Sequence, residues 1–213
     1  MSELRISEIF YSLQGESNTV GLPTVFVRLT GCPLRCNYCD TSYAFSGGTK
    51  IPLETIVSEI KKYNCNYVCI TGGEPLVQPA CETLLTQLAD LNFNVSLETS
   101  GALDVSNVDA RIVKVVDLKT PSSGEMAKNR YENIEFLTAQ DQVKFVIAGD
   151  EDYDWSKKMV AEYGLTQRCQ VLFSPVVPVQ NPTELAEKIL ADKLPIRFQI
   201  QLHKLLWQDA QGK

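Results

Sequence analysis

Three cysteines, Cys32, Cys36 and Cys39, stand in C-x3-C-x2-C spacing inside the short stretch Gly31-Cys32-Pro33-Leu34-Arg35-Cys36-Asn37-Tyr38-Cys39-Asp40-Thr41. Thiolates hold iron–sulfur clusters, and a cubane needs four ligands to be closed. Three from one tight loop leave one iron open to a small molecule, much as catalytic metal sites keep an open position. A structural zinc knuckle asks for four ligands, often two C-x2-C pairs, and Cys65, Cys69, Cys81 and Cys169 are not paired in that way. Seven cysteines, an odd number, in a chain whose N-terminus MSELRISEIF has no signal-peptide pattern also argue against a disulfide framework. The other four cysteines read as small buried hydrophobes.

A second constellation is Thr71-Gly72-Gly73-Glu74-Pro75. Paired glycines let a ligand approach the backbone, and the carboxylate beside them can accept hydrogen bonds from an ammonium group. The same residues also make an ordinary strand-to-helix turn. In Asp40-Thr41 the threonine hydroxyl is a hard oxygen donor suited to Mg2+ that keeps several waters, or a cap on the loop. Gln14 and Glu16 flank Gly15, where a tight backbone turn could present both polar groups or simply be solvated. Arg28 lies in an apolar, β-branched run and is costly to bury unless it meets an anion. His203 is the only histidine, so no Ser–His or Cys–His pair can be assembled elsewhere. A lone histidine reads first as a structural or surface residue.

The elements that would position these groups alternate. After an extended N-terminal arm (Ile6–Tyr11) come predicted strands at Thr24–Thr30, Tyr67–Ile70, Asn94–Glu98, Ile112–Lys119, Gln142–Ala148, Cys169–Phe173 and Arg197–Leu202. Predicted helices span Pro52–Tyr63, Cys81–Leu91, Asp154–Tyr163 and Pro182–Asp192. The first carries apolar residues at i, i+3, i+4 and i+7; the second would bury Leu84, Leu85, Leu88 and Leu91 on one face. Strand–helix alternation argues for a parallel sheet with helices outside. The expected fold is α/β, a partial barrel of the (β/α)6 type with the cysteine loop after its first strand. Its polar strand ends (the cysteines, Glu74, Glu98 with Ser100, Lys119, and Ser174 after the Cys169 strand) would then surround one mouth. Residues 1–213 read as a single domain with a short C-terminal tail.

Composition narrows the class. Hydrophobic residues at 44% and charged ones at 22% are ordinary for a globular domain. A formal net charge of −6 speaks against nucleic acid as the main partner, and no apolar run reaches bilayer-spanning length. Reduced cysteines and an oxygen-sensitive cluster fit the cytoplasm.

The cysteine loop and Gly72-Gly73-Glu74-Pro75 resemble the signatures of the radical S-adenosylmethionine (SAM) superfamily. With Leu13-Gln14-Gly15-Glu16, Arg28, Cys39-Asp40-Thr41 and Gln201-Leu202-His203-Lys204 in order along nearly the whole chain, the resemblance extends to the 7-carboxy-7-deazaguanine synthases of queuosine and deazapurine biosynthesis. It implies a [4Fe–4S] cluster on Cys32, Cys36 and Cys39, SAM, and Mg2+ at Thr41. It implies SAM contacts from Tyr38, Asp40, Gly73, Glu74, Ser100, Asp117, Lys119 and Ser174. Substrate contacts are implied for Leu13, Gln14, Gly15, Glu16, Arg28, Thr71 and His203. The implied reaction is hydrogen abstraction at C6 of 6-carboxy-5,6,7,8-tetrahydropterin by a 5′-deoxyadenosyl radical, contraction of the pyrazine ring and loss of ammonia. A flavodoxin- or ferredoxin-type electron donor and a homodimer are further implications. Rival readings are a glycyl-radical activase, which needs a protein substrate, and an iron–sulfur electron carrier, which would want a fourth cysteine.

Overall fold

The computed structural model describes residues 2–208 and 210–212. In chain order the elements are β1 (Glu3–Leu13), β2 (Pro23–Leu29), β3 (Thr49–Pro52), α1 (Leu53–Lys62), β4 (Tyr67–Gly72), α2 (Ala80–Asp90), β5 (Asn94–Thr99), β6 (Val113–Asp117), β7 (Gln142–Ile147), α3 (Asp150–Glu162), α4 (Leu165–Arg168), β8 (Gln170–Pro175), α5 (Pro182–Ala191), β9 (Arg197–Phe198) and α6 (Leu202–Trp207). The strands form one sheet in the order β3-β1-β2-β4-β5-β6-β7-β8-β9. β1 runs antiparallel to both of its neighbours, and every pair from β2 to β9 is parallel. With β3 and β9 as free edges the sheet stays open, the partial barrel that the alternation implied. The alternation itself breaks twice. Between β5 and β6, and between β6 and β7, the chain uses turns and short 3-10 segments (Pro121–Ser123, Met126–Lys128, Tyr131–Phe136) in place of helices, because these stretches are rich in Gly, Pro, Ser, Asp and Asn.

Period-two alternation sorts the strand residues into two faces. Outward, Val25, Val27, Leu29, Val68, Ile70, Val95 and Leu97 pack with Ile56 and Ile60 of α1 and with Leu84, Leu85 and Leu88 of α2. Val143, Phe145, Ile147, Val171 and Phe173 pack with Tyr153 and Met159 of α3 and with Leu185 and Ile189 of α5. The apolar core is therefore a shell between sheet and helices. Inward, the same strands present Phe26, Arg28, Thr71, Glu98, Asp117 and Lys144 to a cavity.

The loop between β1 and β2 crosses the N-terminal side of the parallel strands as a floor. Gln199 donates to the Ser17 carbonyl at 2.6 Å and accepts from Ser17 N at 2.7 Å, and Asn18 N donates to Gln142 at 2.8 Å. This floor redirects the C-terminal segment. The expected strand Arg197–Leu202 ends at Phe198, since Leu202 N donates to the Gly15 carbonyl at 3.0 Å and the chain turns into α6. β3, α4 and α6 carry no sequence signal strong enough to have been expected. α3 begins four residues earlier than its periodicity suggests: Asp150, Glu151 and Asp152 occupy its first turn, where the helix dipole favours negative charge. Leu91, expected in the core, follows the end of α2 and is 43% exposed.

The last difference gives a direct comparison. Leu85→Ala empties a fully buried position and should cost about 2–5 kcal/mol. Leu91→Ala should stay within about 0.5 kcal/mol of the wild type. Thermal or denaturant unfolding of the two variants reads the difference, and equal loss in both would contradict the core described above.

Candidate active site

The cysteine loop leaves β2 and is anchored at both ends to neighbouring segments. Gly31 N donates to the Ala44 carbonyl at 2.8 Å, and Glu74 N donates to the Gly31 carbonyl at 2.7 Å. Gly73 makes that approach possible, because a Cβ there would collide with the Gly31 carbonyl and press on Cys32. On the far side, Asn37 N donates to the Ser123 carbonyl at 3.0 Å, and Glu125 accepts from Arg35 N at 2.6 Å. The three cysteines are free, partly buried and face one cavity of about 540 Å3.

All but two of the site residues expected from sequence line this cavity: Leu13, Gln14, Gly15, Glu16, Arg28, Cys32, Cys36, Tyr38, Cys39, Asp40, Thr41, Thr71, Gly73, Ser100, Asp117, Lys119 and His203. The exceptions are Glu74 and Ser174. The Glu74 carboxylate is fully buried and accepts from the Thr99 hydroxyl at 2.9 Å, from Ser100 N at 2.7 Å, from the Ser100 hydroxyl at 2.5 Å and from Leu76 N at 3.1 Å. It joins the ends of β4 and β5 and does not line the cavity. Ser174 is 1% exposed and does not line the cavity, although alternation turns it to the inner face beside Val146, which does; its hydroxyl is buried without a protein partner.

The inner walls are charged. Arg28 Nε donates to Glu8 Oε1 of β1 at 2.7 Å, so the anion that allows its burial comes first from its own sheet. Tyr43, which donates to the same Glu8 at 2.8 Å, closes over it. Glu98 accepts from Thr71 at 3.0 Å and from Gln14 at 3.4 Å. Lys119 and Asp117 pair at 3.0 Å, while Lys144 pairs with Glu16 at 2.5 Å and reaches Asp117 at 3.6 Å. Burial works against both lysine charges, but the facing carboxylates outweigh it and raise both affinities for the proton. Burial and the Asp117 charge push the Tyr38 phenol up to about 12. Enclosure works against the Asp40 anion, yet Lys204 and the Thr41 hydroxyl hold it down at about 2. Thr41 donates to Asp40 at 2.9 Å and makes no side-chain cap on the following 3-10 segment.

The C-terminal segment completes the enclosure. The His203 ring lies against Gly15, where any Cβ would overlap Nδ1. Gln201 donates to Glu16 at 2.5 Å, Lys204 pairs with Asp40 at 3.2 Å, and Gln208, Ala210, Gln211 and Gly212 line the cavity. Sequence reasoning left Lys144, Tyr43 and the tail beyond Lys204 unassigned, and placed Glu98 at the mouth without a specific role. Only the tail's Gln-x-His-Lys stretch offered a local signal.

Do these residues fit a cluster and SAM? Burial raises the Cys32 and Cys36 thiols, a cost that metal binding, which takes thiolates, has to offset. Among the described residues no three His, Cys, Asp or Glu side chains converge on a single ion. A cubane asks instead for one thiolate per corner iron, which a loop bearing three separated cysteines supplies. Asp117 Oδ1 is buried without a protein partner, an acceptor in the wall suited to hydroxyl donors such as those of a ribose. The donor set fits.

Comparison with known proteins agrees. The Radical SAM superfamily profile matches residues 26–189. The chain is 43% identical to a 7-carboxy-7-deazaguanine synthase of Chlorobaculum tepidum, over 98% of this chain and 97% of that one. It is 39% identical to a protein of the same name from Koribacter versatilis, over 96% and 97%. Among solved structures, QueE from Escherichia coli superposes with a TM-score of 0.80 at 23% identity, covering 94% of this chain and 95% of that one. SuiB of Streptococcus suis, bound to its precursor peptide SuiA, shares the fold at a TM-score of 0.57 over 79% of this chain and 46% of that one. The family's cofactors are a [4Fe–4S] cluster and SAM, and the cavity has the cysteines and strand ends for both. The chain thus belongs to the radical SAM superfamily and, within it, to the 7-carboxy-7-deazaguanine synthases.

Proposed function

We infer that this protein converts 6-carboxy-5,6,7,8-tetrahydropterin to 7-carboxy-7-deazaguanine with release of ammonia, as a radical SAM lyase of queuosine biosynthesis. The observation that carries the reading is one cavity in which the three cysteines at the mouth face a polar floor of Gln14, Gly15 and Glu16, in a chain matching synthases from end to end. When bound, cluster and SAM supply the hydrogen-abstracting radical. The protein binds, orients and excludes water. Asp117 and Lys119 stand on the SAM side; Gln14, Glu16, Arg28 and Thr71 offer donors and acceptors to the pterin edge and its carboxylate. Thr41 Oγ1 keeps lone pairs with which it would hold Mg2+, and the cation would offset negative charge on the substrate. His203, seated over Gly15, faces the same space.

The same reading takes residues 1–213 as one domain, supported by the continuous sheet. The family resemblance supports a homodimer and a flavodoxin- or ferredoxin-type electron donor. Seven free cysteines accord with a cytoplasmic protein, and among the described residues no helix is long and apolar enough to cross a membrane. Neither nucleic acid nor membrane is a partner in this reading.

The test is anaerobic reconstitution with iron and sulfide, then reductant, SAM, Mg2+ and the pterin, with products followed by mass spectrometry. A 7-carboxy-7-deazaguanine mass that needs every component is expected. If only 5′-deoxyadenosine appears, the substrate assignment is wrong and an activase becomes the better reading. Cys36→Ala should abolish turnover, and activity retained in that variant would remove the central claim. Thr41→Ala should weaken the Mg2+ dependence of turnover while cluster absorbance stays intact; an unchanged metal titration would remove the threonine's role. Gly15→Ala forces His203 off the floor, so its KM for the pterin should rise with the SAM-induced change in the electron paramagnetic resonance spectrum preserved.

A further inference from the structure

Lys144 belongs to no recognised motif, yet it sits where the two halves of the cavity meet. It lies in the middle of β7, its Cα paired with Asp117 of β6. Its side chain is 12% exposed, and Nζ stands 2.5 Å from Glu16 Oε2 and 3.6 Å from Asp117 Oδ2. Glu16 is carried by the floor loop, so no strand fixes its direction. Two donors do: Lys144 on Oε2 and the Gln201 amide, also at 2.5 Å, on Oε1. An ionised carboxylate offers about four lone-pair sites, two on each oxygen. One donor on each oxygen leaves one further site on each. Paired acceptors of that kind match a planar group with two adjacent N–H donors, as in a fork-to-fork carboxylate contact. An aminopyrimidinone ring presents such an edge through a ring N–H and its exocyclic amine.

We propose that Lys144 is the positioning residue for substrate recognition, fixing the Glu16 carboxylate so that both oxygens turn one acceptor site to the aminopyrimidinone edge of the pterin. The assignment rests on the functional reading given above. Its consequence is electrostatic. Burial works against the Glu16 anion, and the Lys144 ammonium reverses that and lowers its proton affinity. Without Lys144 the carboxyl of Glu16 would take up a proton at higher pH, and a protonated carboxyl offers a donor where the ring also offers one. The charged groups facing Glu16 are Lys144 from β7 and His203 from α6; beyond Lys144 lie Asp117, Lys119 and Glu98, and Asp40 with Lys204 closes the mouth. Asp117 keeps Lys119 at 3.0 Å when Lys144 is removed, so the SAM side retains its counter-charge.

The test compares wild type, Lys144→Met, Glu16→Gln and the double variant as oxidised holoproteins carrying SAM, with pterin affinity read by calorimetry from pH 6 to pH 8.5. Lys144→Met should bind the pterin about tenfold or more weakly at pH 6, the loss expected for a missing charged hydrogen bond, and should recover toward wild type as the pH rises. Both proteins keep His203. Glu16→Gln should weaken binding with no such slope, and Glu16→Gln with Lys144→Met should bind no worse than Glu16→Gln alone. If Lys144→Met does not fold, the comparison of Glu16→Gln with the double variant, which leaves no Glu16 charge unpaired, decides the same point. A level ratio across pH in a folded Lys144→Met, or losses that multiply in the double variant, overturns the assignment of Lys144 alone. A wild type that binds no pterin overturns the functional reading and the assignment with it.

Discussion

One backbone hydrogen bond, Glu74 N to the Gly31 carbonyl at 2.7 Å, locates the mouth of the barrel. It seats the cysteine loop directly on the turn after β4, and it exists because Gly73 has no side chain to keep the two backbones apart. The Glu74 carboxylate carries the same anchorage sideways to Thr99 and Ser100 at the end of β5. A buried carboxylate with four donors is well compensated, whereas removing its partners would leave an expensive anion. The cluster ligands are thus tied to two adjacent strand ends before any cofactor is considered, so that the loop's position is a property of the sheet.

The second constraint is the inversion of polarity across the sheet. Apolar residues face the helices, and the inner faces hold Arg28, Glu98, Asp117 and Lys144. Such charges are tolerable when paired or hydrogen-bonded: Arg28 meets Glu8, Lys119 meets Asp117 and Lys144 meets Glu16, while Glu98 accepts from the Thr71 hydroxyl and the Gln14 amide. Substrate and cofactor therefore enter a space whose electrostatics are already balanced. Selectivity comes from the acceptors and donors left over, such as Asp117 Oδ1.

What the sequence made legible was whatever is local in the chain. Three cysteines in one loop, two glycines before a carboxylate and a glycine between Gln14 and Glu16 carry their chemistry in a few adjacent residues, and the structure brings these stretches to one cavity. Direction was not local. Glu74 reads as a ligand-facing acid, but its side chain is taken by the next strand. Ser174 turns to the inner face of β8 but is buried short of the cavity. Lys144 reads as an unremarked lysine in QVKFVI until the register places it beside Asp117. The strand expected at Arg197–Leu202 fails for a related reason, since Gly15, far away in sequence, captures Leu202 N and turns the chain into a helix.

That capture bears on the order in which the molecule assembles. The floor loop is held by Gln199, across a sequence separation of 182 residues, whereas the cysteine loop is seated by β4, which follows it closely. Long-range contacts close late because the chain entropy they cost must be met before they return any stability. The cluster loop can thus dock on its strand ends while the underside of the barrel is still open. The underside of the barrel is closed only when Gln199 and Leu202 reach the floor loop.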